Sequence, residues 1–347
     1  MMKKVTRFLI FILPVLPAAG VYAQTGGDHV YDFLNLTHSS LVTSLGGANV
    51  SLNTSDPDLA YHNPALLSPD MDKRLAINYV NYLAGINYGM TMYSRSFAGI
   101  GNFGAGITYL NYGSFRETDE AGNITGTFSA AEYALSLIYS REIDSLISFG
   151  IDFKPILSHL ERYSSFGFAM DMGASWHNRT NLFSAGLVVK NIGMEITTYT
   201  GGPREKLPFE IQAGVSQRLN HAPLRFSLTL RHLEKFDLTY NYKSADSTYN
   251  SGKDGFGENL MRHVIIGAEL IPHKNFYISA GYNYQRRKEL QVESKVSTVG
   301  FSWGFGINTS FLSLGFARST YHLAGTTNTL SVIIRPDQVY KKLARKK

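Results

Sequence analysis

The chain of 347 residues carries ten histidines and no cysteine. Covalent or metal chemistry would therefore have to come from His with Ser, Lys, Asp or Glu. Acyl transfer of the penicillin-recognising type needs Ser-x-x-Lys, so that a lysine one helical turn away acts on the hydroxyl. No such tetrad occurs, and neither G-x-S-x-G nor H-E-x-x-H is present. His62, His159, His177, His232 and His263 are scattered without the paired spacing of a zinc site. His263 has serines nearby, but nothing in the spacing selects a nucleophile–base pair. The sequence supports no catalytic residue, metal site or cofactor, and the expectation is a protein that is not an enzyme.

A second set of chemically capable residues is Glu132, Asp152, Lys154, Asp171, Glu210, Arg225 and Arg231. Each sits on the polar side of a segment whose alternate positions are apolar. Two roles suit them: ion pairs filling a wet interior, or the lining of a solute path. Ion pairing is the plainer reading, because it keeps charge away from an apolar exterior.

The elements that must hold these charges read as strands. In 128–141, Ala131, Tyr133, Leu135, Leu137 and Tyr139 alternate with Glu132, Ala134, Ser136 and Ser140. In 165–177, Phe166, Phe168, Met170, Met172 and Trp176 alternate with Gly167, Ala169, Asp171, Gly173 and Ser175. The same period of two runs through 208–218, 224–232 and 297–307. A soluble sandwich also alternates. These segments are long, however, at roughly 10–14 residues, which suits tilted membrane-spanning strands. Their polar face is rich in Gly, Ala and Ser, which suits a crowded lumen. Tyrosines near the strand ends suit an interfacial girdle. Aromatic residues make up 13% of the chain, with 21 Tyr and 21 Phe, and there are 32 Gly, as expected of a strand-rich membrane protein.

Fourteen strands are expected between 73 and 335, the fifth at 146–161, the tenth at 260–271, the eleventh at 275–287 and the twelfth at 295–307. Gaps after even-numbered strands are all short. Those after odd-numbered strands include the long ones: 113–127, 193–207 and 236–259. Short turns at one end and long loops at the other are the habit of outer-membrane barrels. Unpaired backbone groups are costly in hydrocarbon, so such a sheet closes. The fold class is thus all-β: a closed antiparallel transmembrane β-barrel of about 14 strands, with a short N-terminal plug-like segment. Pro155 falls inside the fifth strand and predicts a bulge or irregularity there.

The ends of the chain have their own character. Lys3, Lys4 and Arg7, the apolar run Phe8–Leu16 and Val21-Tyr22-Ala23 read as a cleaved export signal, residues 1–23. Residues 24–72 form an N-terminal periplasmic or plug segment, 73–336 the barrel, and 337–347 a basic tail. The formal net charge is +6, but the signal holds three cations and the last seven residues five, so the remaining body is mildly acidic. A nucleic-acid partner is unsupported. Residues 41–68 lack alternation and are broken by Pro57 and Pro64, with Pro69 just beyond. Such a stretch cannot face lipid, and its Asn and Asp side chains can satisfy their own backbone in tight turns.

At this point a resemblance can be drawn. "LGGANVSL", followed by "LAYHNPALLS", resembles the N-terminal segment of FadL-type outer-membrane proteins. There a Gly-Gly-Ala turn, here Gly46, Gly47 and Ala48, precedes an Asn-Pro-Ala, here Asn63, Pro64 and Ala65, and then the first strand of a fourteen-strand barrel. A narrower resemblance rests on "GGDHVYDFLNLTHSSLVTSLGGANVSL" (26–52), "NYVNYLAGINYG" (78–89), "YLNYGSFRETDEAGNITGTFSAAEYAL" (109–135) and "SHLERYSSFGFAMDMG" (158–173). These look like the PorQ family of the type IX secretion system of Bacteroidetes. The resemblance implies an outer-membrane anchor for a surface complex with PorZ, PorU and PorV. That complex processes cargo and attaches it to lipopolysaccharide. One departure is the end of the chain, where a basic tail stands in place of a terminal aromatic residue.

Two further roles remain open beside that one. A FadL-like barrel could transport hydrophobic solutes, which needs an apolar lumenal pocket. A hydrolase ranks last. For a docking role, Tyr240, Tyr242 and Tyr249 in the loop 236–259 are the expected partner contacts.

Overall fold

The computed structural model describes residues 29–238, 255–290, 298–322 and 325–339. The expected signal segment, most of the basic tail, and Tyr240, Tyr242 and Tyr249 lie outside the described residues.

Fourteen antiparallel strands close into a barrel, each paired with its chain neighbour and β1 with β14. They are β1 (Arg74–Asn81), β2 (Asn87–Phe97), β3 (Gly101–Thr118), β4 (Ile124–Asp144), β5 (Ile147–Leu160), β6 (Tyr163–His177), β7 (Phe183–Thr197), β8 (Glu210–Arg218), β9 (Leu224–Leu230), β10 (Val264–His273), β11 (Phe276–Asn283), β12 (Phe301–Asn308), β13 (Leu312–His322) and β14 (Gly325–Ile334). No helix among the described residues is long and apolar enough to cross a membrane. The strands do that work instead.

The alternation is inverted relative to a soluble protein. On β4, Tyr133, Leu135 and Leu137 point outward and are exposed, while Glu132, Ala134, Ser136 and Ser140 are buried within. On β5, Phe149, Ile151 and Phe153 are outside and Asp152, Lys154 and Ser158 inside. Only a hydrocarbon surround makes that arrangement favourable, because the outward side chains find apolar solvent there. Closure follows from the same fact: every strand has two partners, so no edge meets lipid.

The wall is uneven in height. β3 and β4 run for 18 and 21 residues, whereas β9, β11 and β12 run for 7, 8 and 8. Several expected boundaries are corrected by this. The stretch 113–127 is not a free loop, because β3 and β4 continue outward as a hairpin. Arg116 pairs with Thr127 and Phe115 with Phe128, the two Phe rings 5.2 Å apart, around a turn at Asp119–Asn123. Likewise β7 extends to Thr197, into the expected loop 193–207. On the low side, 260–262 and 284–287 are helical rather than strand. They belong to the helices later called α3 (Phe256–Arg262) and α4 (Tyr284–Leu290), and β12 starts only at Phe301.

Pro155 creates no bulge. Its register with β6 is continuous, Pro155 opposite Phe168. The ladder to β4 is interrupted between Ala134–Ile156 and Leu137–Phe153 without a shift of register. Proline lacks the N–H that would bond β4, so the pairing skips there while the strand keeps its phase. A bulge does lie in β7, facing the lumen. Met170 pairs with Ile192 but Met172 with Val189, so one extra residue is accommodated at Lys190–Asn191. Asn191 adopts φ 58°, and both Lys190 and Asn191 are buried.

Residues 29–72 lie inside the barrel. They include α1 (Ser40–Ser44) and α2 (Leu59–His62). Half of the described apolar residues at 0% exposure are here: Leu34, Val42, Val50, Leu52, Leu59, Ala60 and Tyr61.

Candidate functional site

The lumen and its N-terminal stopper form the candidate site. The segment starts at the loop end, where Val30 N–H donates to Lys206 O at 2.9 Å and the Tyr31 hydroxyl bonds Ser165. It finishes at the short-turn end, where Ser94 Oγ donates to Met71 O and Ser96 N–H to Asp72 Oδ1 at 2.8 Å. Between these points the small inward residues of the wall are its partners. Ser331 Oγ accepts from Ser40 N–H at 2.9 Å, and Ser279 Oγ lies 2.6 Å from Ser44 Oγ. Ser216 Oγ lies 2.8 Å from Ser51 Oγ, and Ser184 Oγ donates to Ser51 O at 2.6 Å. The Ser-rich inner face is therefore a set of attachment points rather than a wetted surface.

The Gly-Gly-Ala and Asn-Pro-Ala motifs sit at the tightest of these contacts. Gly46 and Gly47 have φ of 104° and 97°, which a side chain would strain. They end α1, with Gly47 N–H donating to Val42 O at 3.0 Å. Ala48 is buried behind them. Asn63 is wholly buried and uses both ends of its amide. Nδ2 donates to Val50 O at 2.8 Å and to Ala174 O at 3.2 Å, while Oδ1 accepts Ala65 N–H at 3.0 Å. Pro64 and Ala65 form a short 3-10 turn laid against β5 and β6. A Cβ on Gly150 would overlap the backbone of Pro64, and one on Gly173 would overlap the Asn63 amide. The wall is glycine where the stopper backbone comes closest.

At mid-height the segment meets the buried charges. Lys154 Nζ lies 2.5 Å from Asp171 and 3.9 Å from Asp152, all three side chains fully buried. Lys154 and Lys190 stand 4.8 and 5.2 Å from the centre of the Tyr61 ring. Tyr61 in turn stacks edge-on against His38 at 4.6 Å and donates its hydroxyl to Leu34 O at 2.9 Å. Burial, reinforced by Lys190 and Lys154, pushes the His38 imidazole down to about 3, and His62 is held well below its ordinary value for the same reasons. Both rings are therefore neutral packing groups. Asp171 has a second duty: its Oδ1 accepts Asn191 N–H at 2.8 Å, which satisfies the backbone donor freed by the β7 bulge.

The other expected lumenal charges also find partners. Arg231 grips Glu210 through two bonds of 2.7 and 2.8 Å, and Arg225 grips Glu269 through two of 2.7 Å. Glu132 accepts the Tyr112 hydroxyl at 2.6 Å. The ion-pair role fits these contacts. Sequence reasoning missed Lys190, His38 with Tyr61, and Glu269. Alternation could have flagged Lys190, since Gly186, Val188 and Lys190 share a face, but nothing in the sequence shows that His38 and Tyr61 meet.

Among the described residues no nucleophile–base pair is assembled at His263: its ring nitrogens lie 2.6 and 3.1 Å from the carbonyl oxygens of Arg231 and Phe236, and it bonds no described serine. Among the described residues no three His, Cys, Asp or Glu side chains converge as metal ligands.

No family model matches this chain, and no curated protein matches it. Solved structures do. The Pseudomonas putida toluene transporter TodX aligns with a TM-score of 0.51 at 11% identity, over 86% of this chain and 97% of its own. A monoaromatic hydrocarbon channel variant of TodX aligns with a TM-score of 0.51 at 13% identity, over 88% and 98%. A Pseudomonas aeruginosa FadL homologue aligns with a TM-score of 0.49 at 12% identity, over 86% and 98%. At such identities the TodX alignments establish a shared fold. The chain shares with TodX the fold of a closed antiparallel barrel.

Proposed function

We propose that this chain is a stoppered outer-membrane barrel that anchors a soluble complex at the cell surface, the role implied by its resemblance to the PorQ family. The observation that carries this reading is the filled lumen. Tyr61, Lys154 and Asp171 are at 0% exposure at mid-height, with stopper and wall joined by hydrogen bonds around the ring. The lumenal cavities at the turn end, of about 360 and 270 Å³, set charged and polar side chains among their apolar ones and form no purely apolar slot. The loop end offers contact area instead. Phe236, Phe256 and Leu260 are exposed beside the loop that holds Tyr240, Tyr242 and Tyr249, with the Phe236 and Phe256 rings stacked 5.2 Å apart. On this reading PorZ docks there, with PorU and PorV in the same assembly and lipopolysaccharide as its neighbour in the outer leaflet. Deleting residues 239–254 together with F256S and L260S should abolish copurification of the surface complex while leaving the barrel in the membrane. Undiminished copurification overturns the proposal.

A second reading is transport of hydrophobic solutes. The TodX alignments favour it over the first, since those proteins are a toluene transporter and a hydrocarbon channel. It requires the stopper to move, because the apolar side chains within the lumen are already packed against one another. Uptake of toluene or a fatty acid by cells with and without the gene separates the two. A loss of uptake on deletion favours transport, and an unchanged rate favours the anchor.

A further inference from the structure

The short-turn end of the lumen holds a cavity of about 360 Å³ between residues 53–56 of the stopper and the low side of the wall. Its charged lining is lopsided. Arg225 and Glu269 neutralise each other through their paired bonds. That leaves Arg74, Arg218, Lys274 and Arg335 in the lining with a single carboxylate, Asp56, while Asp70 and Asp337 act on Arg74 from outside the cavity. Among the described residues none of these four cations forms a salt bridge. Arg74 is the most constrained. It is 9% exposed, its Nη1 donates to Ser55 O at 2.6 Å, and its Nε, buried, meets no acceptor among the described residues. A buried guanidinium edge without an acceptor is costly, and a rigid guanidinium fork matches the oxygens of a tetrahedral anion.

We infer that this cavity is a binding site for a phosphate-class dianion, entering from the short-turn side. Three guanidinium groups and one ammonium set against one carboxylate leave an excess of positive charge. A doubly charged oxyanion offsets most of that excess and a monocarboxylate little of it. The cavity is several times the volume of the anion itself, so the phosphate can carry a small organic group. Its source is either a soluble phosphate ester or the headgroup of a phospholipid in the facing leaflet. The site is at the opposite end of the barrel from the proposed docking surface and does not depend on that reading.

The test uses the full chain, purified in an uncharged detergent at low salt and titrated calorimetrically. The probes are inorganic phosphate, glycerol 3-phosphate and a short-chain phosphatidic acid. Wild type should bind at least one of them, and R218Q/K274Q should bind it at least tenfold more weakly. Both positions lie at the rim, so the variant should keep the heat-modifiable gel migration of a folded barrel. R74Q should lose binding as well. R179Q, which removes a cation from the same end outside the cavity, should bind as wild type does. Binding of the soluble probes assigns a soluble ligand, and binding of phosphatidic acid alone assigns a lipid headgroup. The inference is overturned if wild type binds none of the three, if R218Q/K274Q binds as well as wild type, or if R179Q weakens binding as much as R218Q/K274Q does.

Discussion

The two sides of the lumen are filled by different means. Along β5, β6 and β7 the stopper backbone lies directly on the wall, over Gly150, Gly173 and Gly186, and the charges there are fully buried. Along β8 to β14 the stopper backbone also closes on the wall at Gly281, but toward the short-turn end a cavity opens beside residues 53–56, and the bidentate pair Arg225–Glu269 lines it. Around Lys154 and Asp171 both side chains are fully buried, so that ion pair has no alternative partner, although a smaller cavity opens at the short-turn end of the same strands. On the second side water and ligands can reach the charges. The same residue types should therefore carry very different energetic weight.

That difference can be broken at one pair on each side. D171N removes the main partner of Lys154 and also weakens the acceptor of Asn191 N–H at the β7 bulge. Removing one partner of a fully buried pair costs about 3–5 kcal/mol. E269Q leaves Arg225 at the edge of the cavity, and the loss of charge-assisted bonds there costs about 1.5–3 kcal/mol. Urea unfolding from detergent micelles should place D171N well below E269Q. Equal losses would mean that the two sides are equally dry. A substitution on the lipid face gives a scale for both: L137R, outward on β4, should cost about 2–4 kcal/mol in the same assay.

The same division governs what could be read from the sequence. The strands were legible because lipid outside and polar contacts inside impose a strict period of two, and closure follows from backbone pairing. The hairpin 113–127 was misread because Asp119 and Gly122, which do make its turn, suggested a loop throughout. The pairing of Phe115 with Phe128 shows instead that the strands run on beyond the wall. The helices α3 and α4 were misread because, at seven residues each, they are too short to establish a helical period against the strands they follow or precede. Within the stopper, Asn63-Pro64-Ala65 stood out through the resemblance of its surroundings to the N-terminal segments of known barrels. The meeting of His38, Tyr61, Lys154 and Lys190 was invisible. It depends on how a segment without periodicity is laid against strands more than ninety residues away, and on a one-residue bulge in β7.

Asn63 links stopper and wall on the close-packed side. N63A leaves the carbonyls of Val50 and Ala174 and the amide of Ala65 without their bonds, at a cost of about 1–3 kcal/mol. The loss should appear as faster proteolysis within 29–72 and as ion conductance in planar bilayers, with the barrel itself intact. Resistance equal to wild type on both counts would show that the stopper is held chiefly by its apolar clusters.

The mildest perturbation is at His38. Its two ring nitrogens find no hydrogen-bond partner, and its imidazole is held down to about 3. The unfolded chain takes up a proton near the ordinary value of about 6.5, whereas the folded chain does not until much lower pH. Between those limits the unfolded state binds more protons, so stability rises with pH and is lost on acidification below about 6.5. The slope for one such group approaches about 1.4 kcal/mol per pH unit. His62 adds a contribution of the same sign. Asp56, which burial raises to about 6, opposes them, because it favours the folded state as pH falls. H38F removes one histidine's share without changing the others. It keeps an aromatic ring against Tyr61 and deletes two unpaired polar atoms. Its stability at pH 7 should equal or slightly exceed wild type, and its unfolding free energy should fall less steeply between pH 6.5 and 5. Parallel pH profiles for the two proteins would mean that His38 is protonated in the folded state, and that water reaches the close-packed side of the lumen after all.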